Sequence, residues 1–173
     1  PATLIVQHIR PGFIESTVER LERLCRPRVL RAVDGEAIVR GRVYLASDPT
    51  RHLVLAGRGT PRCRLVAEPP LHGHRPSIDR LFHSAVPYAA GIAAALLTGM
   101  GADGASGLKA LRLAGAYTVV QDRTTSVVWG MPRVAAEMGA AVAVLPLDRI
   151  AGALLSGSVL ASPRTTGSPG APR

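Results

Sequence analysis

Asp103 is a chemical candidate because of where it falls, in Leu96-Leu97-Thr98-Gly99-Met100-Gly101-Ala102-Asp103-Gly104. The apolar run 92–97 reads as a buried strand of a parallel sheet, and Leu108, Leu111 and Leu113 fall on a helical pattern that Gly115 caps. A carboxylate just past such a strand sits where open α/β sheets place their sites. His8 follows a second apolar run, Leu4-Ile5-Val6, and can face the same crevice. A histidine whose second nitrogen is held by a carboxylate is the base of a hydrolase triad.

Other readings compete for the same residues. Asp103 could simply N-cap the helix that follows it. Gly99, Gly101 and Gly104 have the spacing of a dinucleotide-binding turn, with Asp122 near the place of a ribose-binding acid. Against that, a charged Asp103 opposes an approaching pyrophosphate. His72 and His74 suggest a metal, but no cysteine or matched acid accompanies them. His52, in a β run, and His83, on a helix, read as structural. No nucleophile is evident. There is no G-x-S-x-G, Ser106 falls in the first turn of a helix beside Asp103, and Ser77 is better used as a cap.

The elements that must position these groups alternate. A strand is expected over 3–7, and Ile14, Val18, Leu21 and Leu24 make 14–25 an amphipathic helix. From 28 to 67 short β runs (43–45, 52–55, 64–66) are separated by turn residues and read as antiparallel hairpins. Ser77 caps a helix carrying Ile78, Leu81, Phe82, Ala85 and Val86 on one face. Strands over 92–97, 117–120 and 142–145 then alternate with helices over 104–113, 132–138 and 147–156. That order implies an α/β fold with a doubly wound, mostly parallel sheet, helices on both faces and a small antiparallel β insertion.

A chain of 173 residues that is 47% hydrophobic can bury one real core. No apolar stretch reaches the ~18 residues of a membrane span. The start, Pro1-Ala2-Thr3-Leu4-Ile5-Val6, has no basic n-region, does not read as a signal peptide, and looks like a cut running into a strand. Cys25 and Cys63 fit no metal or disulfide pattern, which suits reduced thiols in a cytoplasmic protein. The net charge is +9 and Lys109 is the only lysine; residues 1–64 hold twelve arginines against six acids. A solvated basic surface of arginine-biased composition accounts for this first, an arginine-rich face for an acidic protein partner next, and nucleic acid last, because aromatics are only 3% and no helix-turn-helix or finger spacing occurs.

Several strings together carry a family resemblance: Val6-Gln7-His8-Ile9-Arg10-Pro11-Gly12-Phe13, Leu21-Glu22-Arg23-Leu24-Cys25, Asp34-Gly35-Glu36, Gly73-His74-Arg75-Pro76-Ser77-Ile78-Asp79, Leu81-Phe82-His83-Ser84, Leu97 to Gly104, and Gly130-Met131-Pro132-Arg133. In this order, over roughly 4–150, they resemble the catalytic domain of chemotaxis-type protein-glutamate methylesterases. The resemblance implies a serine hydrolase that demethylates glutamate methyl esters on chemoreceptors and deamidates receptor glutamines. It places the catalytic histidine on His8, the aspartate on Asp103, and the oxyanion turn on Met100 and Gly101. It implies no cofactor and no metal, and no nucleic-acid partner or membrane insertion. Its partners would be the cytoplasmic helices of chemoreceptors and a regulatory receiver domain in the parent protein.

The family's serine lies in a Gly-x-Ser-Thr-Gly-Gly-type loop before the strand that leads to the histidine, and no such loop occurs here. The expected organisation is therefore a catalytic domain over 1–156 without its first strand, nucleophile loop and first helix, inactive alone, and a disordered Pro/Gly/Ser/Arg tail over 157–173. The alternatives are a dinucleotide-binding oxidoreductase fragment and a non-catalytic receptor-binding module.

Overall fold

The computed structural model describes residues 1–57 and 59–160. Its first half opens with β1 (Thr3–Ile5), a 3-10 turn over Pro11–Phe13, α1 (Ile14–Leu24), β2 (Arg28–Arg31) and β3 (Arg42–Leu45). β3 lies between β1 and β2 and is parallel to both, with Tyr44 opposite Leu4 on one side and Leu30 on the other. This corrects the expectation that 43–45 belongs to an antiparallel hairpin. Val43, Tyr44 and Leu45 are all buried, the pattern of a strand covered on both faces. Only β4 (His52–Ala56) and β5 (Arg62–Val66) form an antiparallel pair, with Leu55 opposite Cys63. There the alternation is that of a half-exposed ribbon: Cys63 is fully buried between exposed Arg62 and Arg64. Burial, assisted by the charge of Glu36, pushes the Cys63 thiol up to about 11, while Cys25 is exposed.

The second half runs through α2 (Ile78–Ala85), a 3-10 turn over Val86–Gly91, β6 (Ala93–Leu96), α3 (Ala105–Leu113), β7 (Tyr117–Gln121), α4 (Met131–Glu137), β8 (Ala143–Leu145) and α5 (Leu147–Leu160). β7 is central between parallel β6 and β8. One face of β7 sends Val120 into a core with Leu108 and Leu111 of α3 and Ala135 of α4. On the other face Tyr117 lies against Gly157 of α5, where a Cβ would come within 2.1 Å of the ring. Helices thus cover both faces. The expected domain boundary at 157 falls inside α5; the rest of the expected tail, 161–173, lies outside the described residues.

Two core clusters result, one built on α3, α4, β6 and β7, the other on β3, β4, β5 and Leu81 of α2; Val6, Leu55 and Phe82 pack against both. Among the described residues no helix is long and apolar enough to cross a membrane.

Candidate active site

Two buried aspartates organise the site by capping each other's helices. The first turn of a helix leaves backbone N–H groups without partners. In α2 three of these are satisfied. Asp103 Oδ2 accepts from Ile78 N at 2.8 Å, Asp103 Oδ1 from Asp79 N at 3.1 Å, and Ser77 Oγ from Arg80 N at 3.3 Å. In α3 the N-cap is Gly104, which has no side chain to offer. Asp79, in the first turn of α2, supplies the acceptor instead: its Oδ1 takes Gly107 N at 2.7 Å. Asp103 therefore caps α2 and not, as the sequence suggests, the helix that follows it.

This exchange needs the two helices to approach closely. A Cβ at Gly107 would lie 2.6 Å from Phe82 Cβ, and one at Gly104, where φ is +90°, would lie 2.6 Å from Ile78 Cγ2. Of the three glycines read as a phosphate cradle, Gly104 is consumed in packing α3 against α2 and Gly99 lies against Met131 of α4, while Gly101 faces open space. With Asp103 filling the start of α2 and Asp79 that of α3, neither helix presents an open N-terminus to a pyrophosphate. The structure argues against the dinucleotide reading.

His8, on the loop after β1, completes the arrangement: its Nε2 lies 2.9 Å from Asp103 Oδ2. Ser77 Oγ donates to Asp103 Oδ1 at 2.7 Å. Asp103, fully buried, thus accepts four hydrogen bonds, the capacity of a carboxylate. Burial works to raise its pKa, but the bonds from His8, Ser77, Ile78 and Asp79 outweigh it and hold the group at about 2. Asp103 is a fixed anion, and His8 directs Nε2 at it, which turns Nδ1 away from the carboxylate.

Ser77 is itself pinned. Its N–H donates to Nδ1 of buried His52 at 3.1 Å, and His52 Nε2 lies 3.0 Å from the Pro69 carbonyl. His52 is thus structural, through the site. His83 pairs with Ser106 at 3.2 Å across the α2–α3 surface. Ser106 is exposed there and does not crowd Asp103.

His74 is the residue that sequence reasoning missed. Its ring stacks on His8 with centroids 3.9 Å apart and planes 3° from parallel. A tight turn puts it there: His72 and Gly73 have φ of 52° and 79°, and Leu71 and His74 exchange both backbone hydrogen bonds. Burial and the neighbouring His8 pull the His74 imidazole below the ordinary histidine range, with Asp103 pulling the other way. His72 instead reaches toward Asp79, 3.9 Å away. His72 thus faces a carboxylate and His74 the His8 ring, so the two do not converge on a shared metal position.

Met100 and Gly101 form an exposed turn between Gly99 and Asp103, and neither of their N–H groups has a partner among the described residues. Gly99 is fixed, its N–H donating to Val128 O at 3.0 Å and its carbonyl accepting from Met131 N at 2.8 Å.

Fold and site together define a mostly parallel α/β protein that holds a histidine against a buried aspartate near its strand ends. The chain belongs to the CheB methylesterase family, whose model matches residues 1–154. It is 50% identical over 151 residues to a protein of Agrobacterium fabrum named protein-glutamate methylesterase/protein-glutamine glutaminase, covering 87% of this chain and 43% of that protein. A Pseudomonas aeruginosa protein of the same name, numbered 2, is 47% identical over 156 residues, covering 90% and 45%. The chain spans about half the length of the curated relatives it matches. The crystal structure of the Thermotoga maritima CheB methylesterase catalytic domain superposes with a TM-score of 0.84 at 34% identity, covering 88% of this chain and 82% of that one.

Proposed function

We propose that this domain hydrolyses glutamate methyl esters on the cytoplasmic helices of chemoreceptors, with His8 as general base and Asp103 as its orienter. Deamidation of receptor glutamines would use the same groups. The observation that carries this is the 2.9 Å contact between His8 Nε2 and a carboxylate fixed by three further donors.

The nucleophile in this reading is a serine on a segment outside these 173 residues. Two features support a further strand there. Among the described residues β1 pairs only with β3 and β6 only with β7, so each keeps a free edge. Val6, just past β1, packs against both cores and so marks the seam between them. A strand in that seam would deliver its C-terminal loop to His8. His8 Nδ1 takes the serine proton as oxygen attacks the ester carbonyl. The Met100 and Gly101 N–H groups receive the oxyanion, and the imidazolium returns the proton to departing methanol. Water then repeats the cycle on the acyl-enzyme. A receiver domain in the same parent protein would regulate access.

The test is demethylation of methylated receptor by a longer protein containing this domain and the serine loop. His8→Ala and Asp103→Asn each remove several orders of magnitude of turnover. The 173-residue chain alone shows none. Robust turnover by the chain alone, or turnover indifferent to His8, sinks the assignment.

A further inference from the structure

The loop joining β7 to α4 is held more firmly than an exposed connection requires. Asp122 accepts from Thr125 N and Oγ1 at 2.9 and 2.7 Å, and from Thr124 Oγ1 at 2.9 Å. Buried Gln121 ties this loop to the site turn: its Oε1 accepts from Thr98 N at 2.8 Å and its Nε2 donates to the Thr125 carbonyl at 2.8 Å. Val128 N donates to Thr98 Oγ1 at 2.9 Å. Gly130 lies so close to the turn that a Cβ would come within 2.6 Å of the Gly99 carbonyl. Loop and turn form one rigid shelf, and Asp103 lies at its edge.

That shelf shows water its apolar side chains. Val127 is 91% exposed and Met100 78%, with Val128 exposed beside them. Isolated exposed apolar residues are ordinary, but a clustered, pre-ordered set beside a reacting centre marks a contact surface. One cation within the loop has no carboxylate partner among the described residues: Arg123, 5.9 Å over the Trp129 ring.

We propose that this shelf is the docking surface for the polypeptide that carries the esterified glutamate; the inference rests on the methylesterase reading above. The turn that meets the scissile group is part of the shelf, so whatever covers the shelf during reaction is the substrate chain itself. A helix fits: apolar side chains one turn from the modified glutamate lie on Val127 and Met100, and an acidic residue flanking them meets Arg123. The shelf then selects which glutamates are processed, while His8 and Asp103 do the chemistry.

The probe is a stapled, glutamate-rich helical peptide with γ-methylglutamate at its centre and leucines one turn to either side. Its binding to the 173-residue chain is followed by fluorescence anisotropy. Val127→Asp and Arg123→Ser, surface changes that leave thermal melting unaltered, each weaken it about fivefold or more. Moving the leucines to the opposite face of the peptide does the same to the wild-type chain. In a serine-bearing longer protein, Val127→Asp lowers kcat/KM for the helical ester and leaves a small γ-methylglutamyl dipeptide ester unchanged. Binding indifferent to Val127→Asp overturns the proposal. If both esters are hydrolysed in a His8-dependent way but Val127 has no effect, the shelf fails and the methylesterase reading stands. If the serine-bearing protein hydrolyses neither ester, that reading fails and the shelf falls with it.

Discussion

The two halves of the His8–Asp103 pair sit in opposite kinds of structure. Asp103 lies in a closed junction where every lone pair is filled and the start of α2 depends on it. His8 lies on an exposed loop, held by one hydrogen bond and one stacked ring. The aspartate is thus part of the architecture, and the histidine is hung on it. That division suits the proposed roles, since a group that moves protons must be approachable and the group that orients it need not be.

The sharpest break between the halves is expected at His8. In a serine-bearing protein, His8→Ala lowers kcat by on the order of 10⁴ or more. Urea unfolding should shift by under about 1 kcal/mol, because no buried donor loses its acceptor. A large loss of stability would show that His8 belongs to the architecture after all.

Asp103→Ala should do the reverse in the 173-residue chain. It strands the Ile78 and Asp79 N–H groups and the Ser77 hydroxyl in the interior, at a cost on the order of 4 kcal/mol by denaturant titration. A loss under about 1 kcal/mol would mean that water replaces the carboxylate and the junction is not closed.

Acid separates the halves without mutation. The Asp103 carboxyl is held at about 2 in the folded chain against an ordinary value of 3.8. The folded state therefore binds fewer protons between those values. The roughly 2 kcal/mol this contributes is fully present above pH 4 and is lost as pH falls through 2. Asp103→Asn should flatten that part of the stability–pH curve. The smallest effect belongs to Asp79→Ala, which uncaps α3 at about 1–2 kcal/mol while leaving the His8–Asp103 contact in place. If it abolishes turnover with little loss of stability, Asp79 acts on the site directly.

Much of this was legible in the sequence because it is local. Periodicity located α1, α2, α3 and β6, and the strand-end logic selected His8 and Asp103 from the chain. What was not legible is what Asp103 holds. Its capping partners, Ile78 and Asp79, lie on the helix before its own, and a cap read locally points to the wrong helix. β3 was misassigned because three buried residues between turns look alike in a hairpin and in a parallel sheet. The difference lies in what covers the second face. His74 stood in a metal-like pair, and ring stacking leaves no spacing signature.

Cys63 gives the molecule a built-in clock. Its thiol reacts only as thiolate and only when the β4–β5 ribbon lifts, so burial and a pKa of about 11 both protect it, whereas Cys25 is open to reagent. Under native conditions iodoacetamide should therefore label Cys25 at once, fixing the zero of time. The slow arrival of a second label, counted by mass, then measures how often the ribbon opens without any mutation, dye or denaturant.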